Sequence, residues 1–179
     1  MTLTDEYARL CETPSDIWLH LPRLVELVET LHAQHVVELG TRTGVSTVAF
    51  LHALEQTGGR LTSVDIAPAP DIGEHPNWLF IQGDDLDPHV LRRIDPADIV
   101  FIDTSHLYEQ TVQELGVYRW LVKPGGVIVC HDTELAQPEG APPSPRFLVR
   151  RAIEEFVADN GFDWINIPEC WGLGIIKVG

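Results

Sequence analysis

The chain predicts an α/β fold: a mostly parallel sheet with helices on both faces and one reversed strand near the C-terminus. Three observations carry that reading. Short apolar runs rich in Val, Ile and Phe recur, helical segments separate them, and the last two runs are joined only by Pro168-Glu169-Cys170-Trp171-Gly172. Nearly continuous apolar runs suit strands buried on both faces, and alternation with helices implies parallel crossovers. A short connection joins antiparallel strands, because a parallel crossover needs about a dozen residues.

Taken in order, strands are expected at His35 to Leu39, Leu61 to Ile66, Trp78 to Gln82, Asp98 to Asp103 and Gly126 to His131. The closing pair is Phe162 to Ile167 and Leu173 to Val178, which makes seven strands in all. Helices are expected at Pro22 to Ala33, Gly44 to Gln56, Pro88 to Ile94, Tyr108 to Leu121 and Arg146 to Asn160. Pro22 suits a first helical position and Gly161 a C-terminal cap. The first twenty residues read as polar and irregular, with Ser15 or Asp16 capping a short turn. Thr133 to Pro145 holds Pro138, Gly140, Pro142, Pro143 and Pro145, and reads as a loop placed to act as a lid.

At 179 residues and 44% hydrophobic content, one domain over residues 1–179 is the expectation. No apolar stretch approaches the roughly 20 residues of a membrane-spanning helix, and Met1 to Glu6 lacks the basic and apolar regions of a signal peptide, which predicts a cytoplasmic location. Cys11, Cys130 and Cys170 are too few and too scattered for a disulfide framework or a zinc ribbon. The net charge is -15, from 27 acidic against 12 basic residues, and that sign repels phosphate backbones and anionic lipids. Neither nucleic acid nor a membrane is expected as a partner.

Two clusters of residues point to chemistry. In the first, Glu38-Leu39-Gly40-Thr41-Arg42-Thr43-Gly44-Val45-Ser46 joins a strand to a helix through glycines. Gly40 and Gly44 allow a tight turn and close ligand approach, and the following helix directs free N–H groups at anionic groups, with the Ser46 hydroxyl beside them. Glu38 suits an ammonium or sulfonium. Asp65 ends the second strand, where such folds hold ribose hydroxyls, and Asp84 and Asp85 end the third, placed to meet an adenine amine. The Gly-x-x-x-Gly spacing lacks the middle glycine of the dinucleotide fingerprint and argues for a small cofactor without pyrophosphate. A Rossmann-like oxidoreductase or hydroxylase and a non-catalytic binding module are the alternatives.

In the second cluster, Asp103 and His106 follow one apolar run and Asp132 ends the next. On neighbouring parallel strands these side chains meet at one rim of the sheet, where a divalent cation and a general base act together.

The run Glu38 to Thr47, the end Ser63-Val64-Asp65, the run Val100 to Glu109 and the run Leu121 to Thr133 together resemble class I S-adenosylmethionine-dependent methyltransferases. Within that class they are most similar to metal-dependent O-methyltransferases of the catechol type and to bacterial sugar O-methyltransferases. The resemblance implies a Rossmann-like methyltransferase fold, S-adenosylmethionine as donor, and a divalent metal, Mg²⁺ by the hard oxygen ligands. It assigns His106 as general base, Asp103 and Asp132 as metal ligands, and His131 or Thr133 as a third contact. A histidine ligand broadens the choice toward Mn²⁺ or another transition metal. A histidine at 106, where catechol-type relatives carry lysine, favours a sugar or aliphatic hydroxyl. The expected partner is a small-molecule or saccharide substrate, with a homodimer closing the pocket. Trp171 is expected near the rim of the site, and the remaining histidines are expected to serve packing or the surface.

Overall fold

Alternate residues of the central strands enter two different cores. Val36, Ile99, Phe101, Val127 and Val129 point to one face, while Val37, Val100, Ile102, Ile128 and Cys130 point to the other. Side chains one apart on a strand face opposite ways, so runs apolar at every position must be covered twice. The computed structural model, which describes residues 2–135 and 148–179, shows that double covering.

Seven strands, β1 (His35–Leu39), β2 (Arg60–Asp65), β3 (Trp78–Gln82), β4 (Ala97–Ile102), β5 (Val122–His131), β6 (Asp163–Ile167) and β7 (Leu173–Lys177), form one sheet in the order β3-β2-β1-β4-β5-β7-β6. The first five pair in parallel, and β7 runs antiparallel to both β5 and β6. The single reversed strand is where the short 168–172 connection places it.

Helices α1 (Leu3–Cys11), α2 (Leu21–Thr30) and α3 (Val45–Thr57) cover one face, and α4 (Pro88–Leu91), α5 (Tyr108–Tyr118) and α6 (Val149–Asn160) the other. In α2, Leu21, Leu24, Val25 and Val28 recur at helical spacing and are all buried. Each such side chain stabilises by about 1.5–3 kcal/mol, so Leu24→Ala is expected to cost about 2–5 kcal/mol.

Two expectations need correction. The first twenty residues are not irregular: Leu3–Cys11 is helical, with Thr2 and Asp5 forming a reciprocal capping box, and a 3₁₀ turn spans Trp18–His20. Leu3, Tyr7, Leu10 and Cys11 lie one above another on α1 and pack onto the core under α3. Strand β5 starts at Val122 rather than Gly126, because Val122 pairs with Ala97 across a register shift that the Lys123-Pro124-Gly125 segment absorbs. The expected helix start at Arg146 and most of the expected lid lie outside the described residues. Among the described residues no helix is long and apolar enough to cross a membrane.

Candidate active site at the carboxyl end of the sheet

Winding reverses between β1 and β4, so the loops after these strands part in opposite directions and leave a crevice. Register decides which residues line it. Leu39 pairs with Ile102, and Ile102 with Cys130, which sets Gly40, Asp103 and His131 side by side one step beyond. The amide of Asp103 donates to the carbonyl of Leu39 at 2.9 Å. A methyl group on Gly40, at φ +85°, would lie 2.0 Å from the Asp103 carbonyl oxygen, so glycine there lets the two loops touch.

The crevice is a cavity of about 620 Å³, within the usual range for small-molecule sites. Gly40, Ser46, Asp65, Asp84, Asp85, Asp103 and His106 all line it. Asp65 holds the glycine turn in shape. Its Oδ2 accepts from the amides of Thr41 and Arg42 and from the Thr41 hydroxyl, at 2.7, 3.0 and 3.0 Å, and its Oδ1 accepts from the Ala67 amide. Burial opposes ionisation of Asp65, but these hydrogen bonds outweigh it and hold the carboxyl below its ordinary range.

Glu38 and Gly44 stand back from the cavity. Glu38 is fully buried and accepts from the hydroxyls of Ser46, Thr47 and Ser63 at 2.7, 2.9 and 2.6 Å. Burial pushes its pKa up to about 7 against those bonds. Its carboxylate therefore fixes Ser46 instead of meeting a cationic ligand directly. Gly44, at φ +83°, is the N-cap of α3.

Asp85 also turns inward. Its carboxyl faces that of Glu114 on α5, and burial together with the Glu114 charge raises Asp85 to about 8, so near neutral pH it holds a proton. Asp85 Oδ2 and Glu114 Oε2 have no other partner, which makes one shared proton the way both are satisfied. Glu114 accepts from Thr104 and Gln110, and Gln110 accepts from Ser105, so this pair braces the segment that carries His106.

At the rim, His106 Nδ1 lies 2.6 Å from Asp132 Oδ2, and His131 Nδ1 lies 3.3 Å from Asp132 Oδ2 and 3.6 Å from Asp103 Oδ1. One atom each from Asp103, His131 and Asp132 fall within 4.8 Å of one another. His131 and Asp132 are buried, and His131 Nδ1 and Asp132 Oδ1 lack hydrogen-bond partners. Burial opposes a charge on His131, yet the two carboxylates outweigh it and push the imidazole up to about 10. Three groups thus converge on a point that favours positive charge, and the orphaned atoms of His131 and Asp132 beside Asp103 fit a divalent cation. Thr133 is not part of this set, since its hydroxyl donates to Asn166 Oδ1 at 2.6 Å.

The rim is also strained. Arg42, His106, Asp132, Cys170 and Trp171 all have φ between +44° and +64°, which costs a non-glycine residue about 1–2 kcal/mol each. Sequence reasoning missed Arg42 as a site residue. Its guanidinium pairs with Asp16 at 2.5 and 2.8 Å, and both side chains line the cavity, so the N-terminal segment forms one wall. Among the residues expected only to pack, His20 is buried, edge-on to His131 at 5.7 Å, with Nε2 donating to the Glu169 carbonyl.

A family model described as a methyltransferase domain matches residues 37–133. Rhamnosyl O-methyltransferase of Mycobacterium tuberculosis is 28% identical over 177 residues, covering 86% of this chain and 71% of that protein. Among solved structures, the O-methyltransferase from Bacillus cereus in complex with SAH aligns with a TM-score of 0.69 at 18% identity, covering 99% of this chain and 89% of that one. The MycE methyltransferase of the mycinamycin biosynthetic pathway, in complex with Mg, SAH and mycinamycin VI, aligns with a TM-score of 0.69 at 19% identity, covering 99% and 54%. At these identities the structural likeness speaks for the fold.

Proposed function

This chain belongs to the methyltransferase domain family and is a class I S-adenosylmethionine-dependent O-methyltransferase, and from that premise we propose that it methylates a hydroxyl of a sugar, glycoside or related metabolite with help from a divalent cation. The observation that carries the proposal is the convergence of Asp103, His131, Asp132 and His106 beside the cofactor-sized cavity. The rhamnosyl acceptor in the name of the mycobacterial relative and the Mg in the mycinamycin complex support it.

Methyl transfer is an in-line attack by oxygen on a sulfonium methyl, so the protein must align the two and make the oxygen electron-rich. Asp65 and the Thr41–Arg42 amides shape the wall that receives the donor's ribose, while Ser46, fixed by Glu38, stands at the start of α3. Asp103, His131 and Asp132 would hold the cation, which supplies a Lewis acid that lowers the pKa of the acceptor hydroxyl. His106 takes the proton. With Nδ1 turned to Asp132, its Nε2 is the nitrogen left for the acceptor. Burial disfavours the imidazolium, but the hydrogen bond to Asp132 and the charges of Asp132 and Asp103 raise His106 overall. Positive charge among those carboxylates opposes the rise and favours the neutral, accepting form.

The test is transfer of labelled methyl from S-adenosylmethionine to rhamnosides and other glycosides, with and without EDTA. Saccharide methylation that stops in chelator and returns with added cation is expected. Transfer unaffected by chelator would remove the cation, and binding of donor with no transfer to any hydroxyl would leave a binding module.

A further inference from the structure

Two aspartates alone describe a site for a hard cation such as Mg²⁺, which takes oxygen ligands and retains several waters. The third member here is an imidazole, and its orientation is fixed. His131 Nε2 lies 3.0 Å from the Cys170 carbonyl, which only accepts hydrogen bonds, so Nε2 carries a hydrogen and Nδ1 is the nitrogen whose proton a bound cation would displace. That Nδ1 is buried, has no hydrogen-bond partner, and faces Asp103 and Asp132. Its 3.3 and 3.6 Å spacings to their oxygens approach the separation of adjacent ligands around a cation with bonds of about 2.1 Å.

The carbonyl that locks the imidazole is itself held. Cys170, Trp171 and Gly172 all take positive φ, and this turn is pinned on both sides: the Glu134 amide donates to the Trp171 carbonyl at 2.7 Å, and His20 donates to the Glu169 carbonyl at 2.7 Å. A methyl on Gly172 would lie 2.2 Å from Thr133 Oγ1, so glycine there lets the turn lie tightly against Thr133 and Glu134. Rotating His131 to remove its nitrogen from the cluster therefore means breaking a buried hydrogen bond in a packed turn.

We infer that His131 Nδ1 is a metal ligand and that it makes this centre select a first-row transition ion, of the Mn²⁺, Co²⁺ or Zn²⁺ kind, over Mg²⁺. Nitrogen donors strengthen binding along the transition series and add little for Mg²⁺, whose preferred shell is all oxygen. The inference rests on the cation-assisted reading above and narrows it to a chemical class of ion.

The test uses the full chain, stripped with chelator and titrated separately with Mg²⁺, Mn²⁺ and Co²⁺ by calorimetry. Pulsed electron-spin-echo spectroscopy of the Mn²⁺ complex then looks for coupling to a ligating ¹⁴N. Mn²⁺ and Co²⁺ are expected to bind roughly tenfold or more tightly than Mg²⁺, with a nitrogen coupling. In His131→Asp, checked for folding by circular dichroism, the coupling should vanish and the preference for Mn²⁺ should shrink to within about threefold. Equal affinities in the wild type, no nitrogen coupling, or a coupling that survives in His131→Asp would each overturn the inference while leaving a cation in the reaction. A chain that binds none of the three ions at millimolar concentration would overturn both readings.

Discussion

His106 Nδ1 stands 2.6 Å from Asp132 Oδ2, and both residues sit at positive φ, at +59° and +63°. An imidazole donating from one nitrogen to a carboxylate has its ring angle and tautomer set, so the other nitrogen is ready to accept a proton. Two neighbouring loops take unfavourable backbone conformations to bring about that one contact, which is the pattern of a functional rim more than of a packing detail.

His106→Ala is expected to lower turnover by roughly 100- to 10,000-fold, the usual contribution of a positioned base. Affinity for S-adenosylhomocysteine, measured by calorimetry, should change by less than about threefold if His106 serves the acceptor hydroxyl as proposed. Full turnover across the pH range would remove His106 as the base.

Asp65→Ala should act first on cofactor binding. It strips three hydrogen bonds from the Thr41–Arg42 segment along with the carboxylate facing the cavity. Loss of about 2–3 kcal/mol corresponds to roughly 30- to 150-fold weaker S-adenosylhomocysteine binding. Unchanged affinity by calorimetry would mean that the donor's ribose lies elsewhere.

Gly40→Ala joins two effects in one change. A methyl group 2.0 Å from the Asp103 carbonyl must push β1 and β4 apart at their ends, and φ +85° is unfavourable for alanine. A loss of about 2–4 kcal/mol in urea unfolding is expected, together with weaker binding of both cofactor and cation. A variant as stable as wild type that binds both normally would contradict the close approach.

Stability should fall as pH rises from about 4 to about 8. Glu38 and Asp85 have folded-state pKa values raised to about 7 and about 8 by burial, above their ordinary values of 4.5 and 3.8. Each therefore binds its proton more tightly when folded, so its contribution is complete below the ordinary value and is lost as pH climbs through the raised one. Asp85→Asn keeps a neutral donor facing Glu114 and removes the share of that dependence due to Asp85. Its melting temperature relative to wild type should improve more at pH 8 than at pH 5, and an equal offset at both would refute the shared proton.

Much of this was legible in the residues themselves. Asp65, Asp103, His106 and Asp132 could be named because each ends an apolar run or follows one closely, and strand ends on one side of a parallel sheet share a rim. The Thr2–Asp5 capping box went unread, because its short helix is hidden among polar residues. Glu38 could be placed on β1 but not assigned, because only packing shows that Ser46, Thr47 and Ser63 occupy its carboxylate. Arg42 reads as the residue that interrupts a glycine fingerprint, and its pairing with Asp16 joins segments 26 residues apart.

Local pattern alone determined the order of the seven strands and the helices between them, the reversed final strand and the acidic rim, since these depend on periodicities of two and 3.6 and on the length of one connection. Tertiary structure decided which neighbours meet: that His131 rather than Thr133 completes the cluster, that Cys170 sets its tautomer, and that Asp85 faces Glu114. Such choices depend on register and on buried groups finding partners across distant segments. A linear sequence contains those partners but does not specify the distances between them.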